Sequence, residues 1–141
     1  MTQDLSRELR HDRSAVRRSF SASLMSDTKW RTVFSALQAA APGIRQIIVK
    51  FIDGADAKTM DVPWLHAPHA FADSLEFGPF PLVGIEWIEV PAIAVLPRAD
   101  HLPAEQVAQN IEAVRSSLTA SGKKFPLHDT ATGLRILGHV R

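Results

Sequence analysis

The sequence of 141 residues contains no cysteine and no tyrosine. Without cysteine there is no thiol nucleophile, disulfide framework, cysteine-ligated zinc or iron–sulfur cluster, and without tyrosine there is no phenolic acid–base group. The seven glycines are scattered and never closer than five positions apart, so the chain has no glycine-rich loop for a phosphate. Histidine and carboxylate side chains are left as the residues on which an enzymatic site would have to depend.

Long apolar runs are lacking as well. The run over residues 90–97 is too short to span a membrane. With 45% apolar and 22% charged residues the composition is that of an ordinary globular domain. A chain of this length buries enough surface to form a core without a disulfide or a metal. We therefore expect no cofactor.

The formal net charge of +1 is unevenly distributed. Residues 1–24 hold five arginines and three acidic residues, a net charge of +2, so the rest of the chain carries −1. A nucleic-acid-binding domain concentrates positive charge on one face, because phosphate contacts supply much of its affinity. The body of the chain has only the short pair Lys123-Lys124. We predict neither a nucleic acid nor a membrane as partner.

Residues 1–24 have few large apolar side chains to offset the entropy of ordering, and this predicts a disordered basic leader. The pair Arg17-Arg18 resembles a twin-arginine signal, but serine, aspartate and lysine follow instead of an apolar segment, which argues against export. Met25 opens a segment typical of a domain start. We hypothesise that Met25 is the true initiator, and predict a single domain over residues 25–141 of a cytoplasmic protein.

Two segments have the apolar spacing of an amphipathic helix. The first covers residues 27–41, with Ser26 or Asp27 as its cap and Pro42-Gly43 as its stop. The second covers residues 103–120, where apolar side chains recur every three or four positions from Val107 to Leu118. Four segments are rich in β-branched and aromatic residues and predict strands. They are residues 44–52, 58–62, 82–96 and 134–140. Because Pro91 cannot donate a ladder hydrogen bond, it ends the first strand of the third segment, forms a bulge or lies on an edge.

This order of elements predicts an α+β fold, with two helices packed on one face of a three- to five-stranded, mainly antiparallel sheet. Residues 63–81 have no periodicity and contain four prolines, yet they carry six large apolar side chains. So much apolar surface is too costly to leave in water, so we expect an ordered irregular segment. Long connections of this kind are uncommon unless they serve a function. The segment is therefore the predicted binding site.

Within that segment, His66, His69 and Asp73 form the nearest approach to a metal-binding group. Two imidazoles and a carboxylate are a ligand set of hydrolytic zinc sites. However, His-x-x-His brings both rings together best on a helix, and Pro68 makes a helix here improbable. We therefore predict no metal, and keep a small metal-dependent hydrolase using these three residues as the alternative.

Glu86 and Glu89 lie three apart in a predicted strand, so their side chains should point to opposite faces and not form a glycosidase pair. Parity places Glu89 on the face of Ile85 and Trp87, where it needs a cationic partner or has a raised pKa. Glu86 adjoins the irregular segment. The predicted binding residues are Trp64, His66, His69, Phe71, Asp73 and Glu86, and no catalytic residue is predicted.

Five segments between residues 28 and 139 form a recognisable combination. They are Lys29-Trp30 with Phe34, Val49-Lys50-Phe51-Ile52-Asp53, Gly78-Pro79-Phe80-Pro81-Leu82, Ile85-Glu86-Trp87-Ile88-Glu89, and Leu134-Arg135-Ile136 with Gly138. Together they resemble an uncharacterised bacterial family classed only as a domain of unknown function. The resemblance implies a bacterial intracellular protein and transfers no catalytic residue. Families of this size include immunity proteins that neutralise toxins, which is an analogy.

We therefore expect a non-enzymatic module that binds a protein partner or a small ligand, with an immunity or regulatory role as the most concrete version.

Overall fold

A computed structural model describes residues 5–99 and 101–141 of the chain. Within these residues there are three α-helices, a five-stranded sheet and three two-stranded pairs. None of the described helices has the length and apolar character needed to cross a bilayer. The elements in chain order are α1 Leu5–Ser19, β1 Ala22–Ser23, α2 Asp27–Ala39, β2 Gln46–Phe51, β3 Lys58–Asp61, β4 Phe71–Ala72, β5 Phe80–Pro81, a 3-10 turn Leu82–Gly84, β6 Ile85–Pro91, β7 Ile93–Leu96, β8 Glu105–Ala108, α3 Ile111–Ala120, β9 Leu127–Asp129, β10 Gly133–Leu137 and β11 His139–Val140.

The main sheet has the strand order β3-β2-β6-β10-β9, and all neighbours are antiparallel. Register aligns Val49 with Ile88 and Ile88 with Ile136, so one face of the three central strands carries fully buried aliphatic side chains. Helices α2 and α3 both contribute side chains to this core cluster. The predicted α+β class with a mainly antiparallel sheet is thus confirmed, with three α-helices instead of two among the described residues.

Helix α2 begins and ends close to its predicted limits. The Ser26 hydroxyl accepts a hydrogen bond from the Lys29 amide at 3.1 Å and so caps the first turn. Four large apolar side chains at helical spacing are at most 1% exposed, which explains why periodicity alone located this helix. They are Trp30, Val33, Phe34 and Leu37.

For residues 5–24 the structure differs from the predicted disordered leader, while residues 1–4 lie outside the described residues. Helix α1 contacts β5 and the 3-10 turn. Its inward stripe is Leu5, Leu9, Asp12 and Val16, with Val16 buried and the other three half-buried. The apolar pattern of the sequence did not reveal this stripe, because a carboxylate occupies one of its four positions. The helix also has Glu8 in its first turn and arginines in its last turn, as the helix dipole favours.

The segment after α1 is tied to the C-terminal end of the chain. Strand β1 pairs antiparallel with β11, and the Ser23 hydroxyl lies 2.8 Å from Nδ1 of His139. The His139 ring is 4% exposed, and its Nε2 lies 2.7 Å from the carbonyl oxygen of Val83. Residues 5–24 are thus anchored at two places. The hypothesis that Met25 is the initiator stays a prediction.

The predicted helix over residues 103–120 is wrong in its first half, which forms β8 and pairs with β7. The reason lies at Gln109, which is 9% exposed. Its side-chain oxygen accepts from the amides of Arg45 and Gln46, and its side-chain nitrogen donates to the carbonyls of Gln46 and Pro91. These four bonds hold the backbone extended until Asn110 caps α3 by accepting from the Ala113 amide.

Candidate functional site

The irregular segment over residues 63–81 is held in place by side chains of α2. The Arg31 guanidinium donates to the carbonyl oxygens of Leu65, His69 and Phe71 at 3.0, 3.1 and 3.3 Å. Gln38 donates to the carbonyl of Pro63 at 2.8 Å. One planar cation with several donors can satisfy three carbonyls at once, which fixes a segment that forms little regular structure of its own.

The three residues of the alternative metal site, His66, His69 and Asp73, do not come together. Trp64 and Asp73 exchange two backbone hydrogen bonds, and the Asp73 carboxylate accepts from the Ser74 amide at 2.9 Å. His66 is exposed, and His69 is exposed with its Nε2 at 3.4 Å from the Thr28 hydroxyl. Among the described residues, His66, His69 and Asp73 do not form a group with ligand atoms within 4.8 Å of one another.

Phe71 offers no surface to a ligand, contrary to its prediction as a binding residue. It is 3% exposed and pairs with Pro81 in the short β4–β5 ladder. Trp64, also predicted as a binding residue, is half-buried. Sequence parity could not assign either side chain, because the segment has no period from which to infer which residues face outward.

Glu86 and Glu89 have different surroundings. Glu86 is half-buried and lies 3.4 Å from Lys50 Nζ and 3.6 Å from Arg141 Nη2. Glu89 is 3% exposed, and its carboxylate accepts from two threonine hydroxyls and from the Arg135 guanidinium at 3.2 Å. Of the two possibilities for Glu89, the structure shows ion pairing. Both carboxylates are therefore engaged by cations of the chain.

A cleft of about 370 Å³ opens between α1, the turn after β2 and residues 77–81. Its apolar wall is an aromatic cluster centred on Phe51, whose ring meets those of Phe77 and Phe80 edge-on at 5.5 and 5.3 Å between centroids. Phe77 is 38% exposed and Phe80 is 7% exposed. The sequence-based prediction did not include this cleft, because Glu8 and Asp12 belong to the segment interpreted as a disordered leader and the other lining residues come from separate parts of the chain.

The opposite side of the cleft is acidic. Glu8 and Asp12 project from α1, and Asp53 comes from the turn after β2, with Lys58 as the one cation lining this part of the described chain. Burial, aided by the neighbouring Asp53 charge and opposed by His11, raises the pKa of Asp12 from its ordinary value of 3.8 to about 6. The carboxylate can approach the core because residue 84 is glycine: a Cβ there would collide with it.

A second hollow of about 360 Å³ shares Glu8, Asp12, Asp53 and Pro81 with the cleft and adds Arg7 and His11. Here the ligand atoms of His11, Asp12 and Asp53 lie within 4.8 Å of one another, and His11 Nε2 is 3.8 Å from an Asp53 oxygen. An imidazole and two carboxylates are donors that divalent metals accept. However, His11 and Asp53 are exposed, and exposed acidic groups often gather without a metal.

A signal for this site was present in the sequence. The stripe of α1 at positions 5, 9, 12 and 16 has helical spacing, and Asp12 is its one charged member. A carboxylate on the inward stripe of an amphipathic helix marks a position where function can outweigh packing. For Asp53, in contrast, the sequence contains no pattern that would indicate a site; it shows only the Asp-Gly turn to which Asp53 belongs.

Comparison with known proteins places the chain in a family without assigning an activity. A search of curated proteins and a search of solved structures each found no match. One family model matches residues 13–141, which is wider than the resemblance over residues 28–139 and includes the end of α1. The chain belongs to this family, which is described as "Family of unknown function (DUF6678)".

Proposed function

We propose that the protein is a single-domain, non-enzymatic binding module of the bacterial cytoplasm that captures a protein partner, with a regulatory or immunity-like role. The observation that carries the proposal is the turn at residues 74–78, which presents Leu75 and Phe77 to solvent at the edge of the cleft. Leu75 is 76% exposed and Phe77 is 38% exposed.

This turn is rigidly built. The Ser74 side chain is buried; its hydroxyl accepts from the Phe77 amide at 3.0 Å and donates to the Gly78 carbonyl at 3.1 Å. Backbone bonds run in both directions between residues 74 and 78, where Gly78 adopts a positive φ of 65°. The Glu76 carboxylate accepts from the Asp61 amide at 3.0 Å and ties the turn to β3. A preordered turn loses little entropy when its apolar side chains are buried by a partner.

The proposed docking surface lies in the predicted binding segment, residues 63–81, but uses other contact residues. Leu75 and Phe77 take the role expected of Phe71, while the exposed His66 and His69 stay available on the same segment. A solvent-exposed leucine and phenylalanine in one fixed turn supply the apolar anchor that protein interfaces use.

The alternative of a small metal-dependent hydrolase has less support. It requires His66, His69 and Asp73 to share one metal, and their ligand atoms do not converge in the described part of the chain. Asp73 is moreover occupied as the acceptor of the Ser74 amide. The proposed binding function needs no such convergence.

The test compares the two exposed apolar side chains of the turn with an exposed apolar side chain elsewhere on the surface. Wild-type protein, Leu75→Ser, Phe77→Ser and the matched control Ile93→Ser, which changes a 49% exposed residue on β7, are immobilised and offered lysate of the source cells. The captured partner is identified, purified and its Kd measured for each variant. We expect Leu75→Ser or Phe77→Ser to weaken binding by at least about tenfold, the equivalent of 1.4 kcal/mol.

The control Ile93→Ser should bind like wild type, and the melting temperature shows that each variant is folded. Full binding by both turn variants, or an equal loss in Ile93→Ser, would refute the proposal.

A further inference from the structure

The cleft beside the turn combines an aromatic surface with an acidic one. One wall is aromatic, formed by Phe51, Phe77 and Phe80, and the other carries the carboxylates of Asp12 and Asp53. Its volume of about 370 Å³ falls in the lower part of the range of about 300–1,000 Å³ found for ligand pockets. A long side chain fits such a space.

The charge of the lining favours a cation. Among the described residues, the cleft is lined by three carboxylates, from Glu8, Asp12 and Asp53, and by one ammonium group, that of Lys58. Arg7 and His11 lie beside them in the second hollow. A half-buried carboxylate next to another carboxylate is costly to keep ionised, and an incoming positive charge relieves that cost. An anionic ligand such as a phosphate would meet three like charges and is disfavoured.

The aromatic wall narrows the class of cation. Phenyl rings attract organic cations through the negative potential of their faces, and they also bury aliphatic carbon. A bare divalent metal uses only the oxygen and nitrogen donors and draws nothing from Phe51 or Phe77. The occupant that uses both walls has an apolar stem and a positive end, which describes an arginine or a lysine side chain.

We propose that the cleft receives a basic side chain of the protein partner, with its stem against Phe51 and Phe77 and its charge between Asp12 and Asp53. This inference rests on the proposed function. It commits to a protein side chain, and not to a free amine, because Phe77 belongs both to the turn that forms the docking surface and to the wall of the cleft. A partner that covers Leu75 is therefore placed to insert a neighbouring side chain into the cleft.

The first experiment uses blocked arginine, N-acetyl-arginine methylamide, as the probe, and blocked citrulline as its uncharged counterpart. Both are titrated at millimolar concentrations into the full chain, and amide and phenylalanine ring signals are followed by NMR. We expect arginine to shift the signals of Phe51, Gly54 and Phe77, and citrulline to bind markedly more weakly. Equal binding of the two probes, no shift in the cleft, or shifts confined to another surface would overturn the proposal.

Variants of the carboxylates test where the positive charge of the arginine probe binds. Asp12→Asn and Asp53→Asn should each weaken binding of the arginine probe by about three- to fivefold, as expected for a partly exposed charge pair. Asp56→Asn is the matched control, because Asp56 is exposed in the same turn and does not line the cleft. An equal effect of Asp56→Asn would reduce the result to general electrostatic attraction and overturn the site. Magnesium or zinc binding with higher affinity than arginine, lost in His11→Ala, would identify a metal site instead.

The second experiment separates this inference from the proposed function. With the captured partner, Asp53→Lys reverses one charge of the cleft and should weaken binding at least as strongly as Leu75→Ser. If Leu75→Ser abolishes binding while Asp53→Lys leaves it unchanged, the docking turn is right and the basic side chain is wrong. If Leu75→Ser, Phe77→Ser and Asp53→Lys all leave binding unchanged, the proposed function itself fails.

Discussion

Replacing Asp12 by asparagine should stabilise the protein at neutral pH. The substitution removes a carboxylate from the inward stripe of α1 and keeps the shape of the side chain. In wild-type protein, burial and the Asp53 charge raise the pKa of Asp12 from its ordinary value of 3.8 to about 6. The ionised form, which prevails at pH 7, is therefore the less favourable form in the folded state.

The direction and the size of the expected change in the free energy of unfolding follow from proton linkage. Between pH 3.8 and about 6 the folded state holds the Asp12 proton while the unfolded state has lost it, so stability falls as pH rises through this window. Two pH units correspond to a ceiling of about 3 kcal/mol. Asp12 is only half-buried, and solvent screening of such a group reduces the expected effect to about 1 kcal/mol.

The assay is urea denaturation of wild type, Asp12→Asn and the control Asp56→Asn at pH 3.5 and pH 7. We expect Asp12→Asn to exceed wild type by about 1 kcal/mol at pH 7 and to come close to it at pH 3.5, since Asp12 is then protonated in the folded state and mostly protonated in the unfolded state. Asp56→Asn should follow wild type at both values. Comparing variants at each pH cancels the titration of all other groups.

A stability gain that does not depend on pH would refute the reasoning, because a neutral isostere can differ from the protonated acid only slightly. A loss of stability at pH 7 would show that the carboxylate is better solvated than its position on α1 indicates. If α1 detaches locally, the effect appears instead in the amide hydrogen exchange of residues 5–19. The same substitution should weaken binding of the arginine probe. Asp12 would then be a residue that serves binding at the expense of stability.

Three further substitutions test the scaffold of the site. Glu89→Ala leaves the Arg135 guanidinium without its carboxylate and should cost about 3 kcal/mol in urea denaturation, at the lower end for a buried pair because Arg135 is partly exposed; a change below about 1 kcal/mol would contradict the ion pair. Arg31→Ala removes three bonds to backbone carbonyls and should accelerate amide exchange over residues 64–73, with no effect on β10. Gly84→Ala places a methyl group against the end of the Asp12 side chain, which has to rotate away, so the Asp12 carboxyl signal in NMR should shift while the main sheet keeps its protection from exchange, and an unchanged Asp12 signal would show that α1 does not dock there.

Sequence periodicity located the elements in which the spacing of apolar residues matches the spacing of buried side chains. Helix α2 shows buried residues at helical spacing, and β2, β3 and β6 lie inside the predicted strands, with β6 ending at Pro91 as expected. The match failed for residues 105–108, where apolar spacing compatible with a helix is overridden by pairing with β7 and by the bonds of Gln109. Tertiary contacts outweigh a local preference worth a few tenths of a kcal/mol per residue.

In the candidate site, too, the sequence indicated some features and tertiary contacts decided others. The sequence predicted that residues 63–81 are ordered and functional in character, since their apolar surface has to be buried and their prolines exclude regular structure. Which side chains point outward depended on the turn around Ser74, where Phe77 faces solvent, and on the β4–β5 ladder, where Phe71 is buried. A segment without a period contains no internal reference from which orientation can be inferred.

The amino-acid sequence on its own determined the α+β class, the absence of thiol and phenol chemistry, and the expectation of an ordered irregular segment over residues 63–81. The tertiary structure alone decided that residues 5–19 form a helix and that Asp12 and Asp53 share a cleft with Phe51 and Phe77. The physical reason is that composition and spacing describe what each segment can bury, whereas a site between distant segments exists only after the core has brought them together.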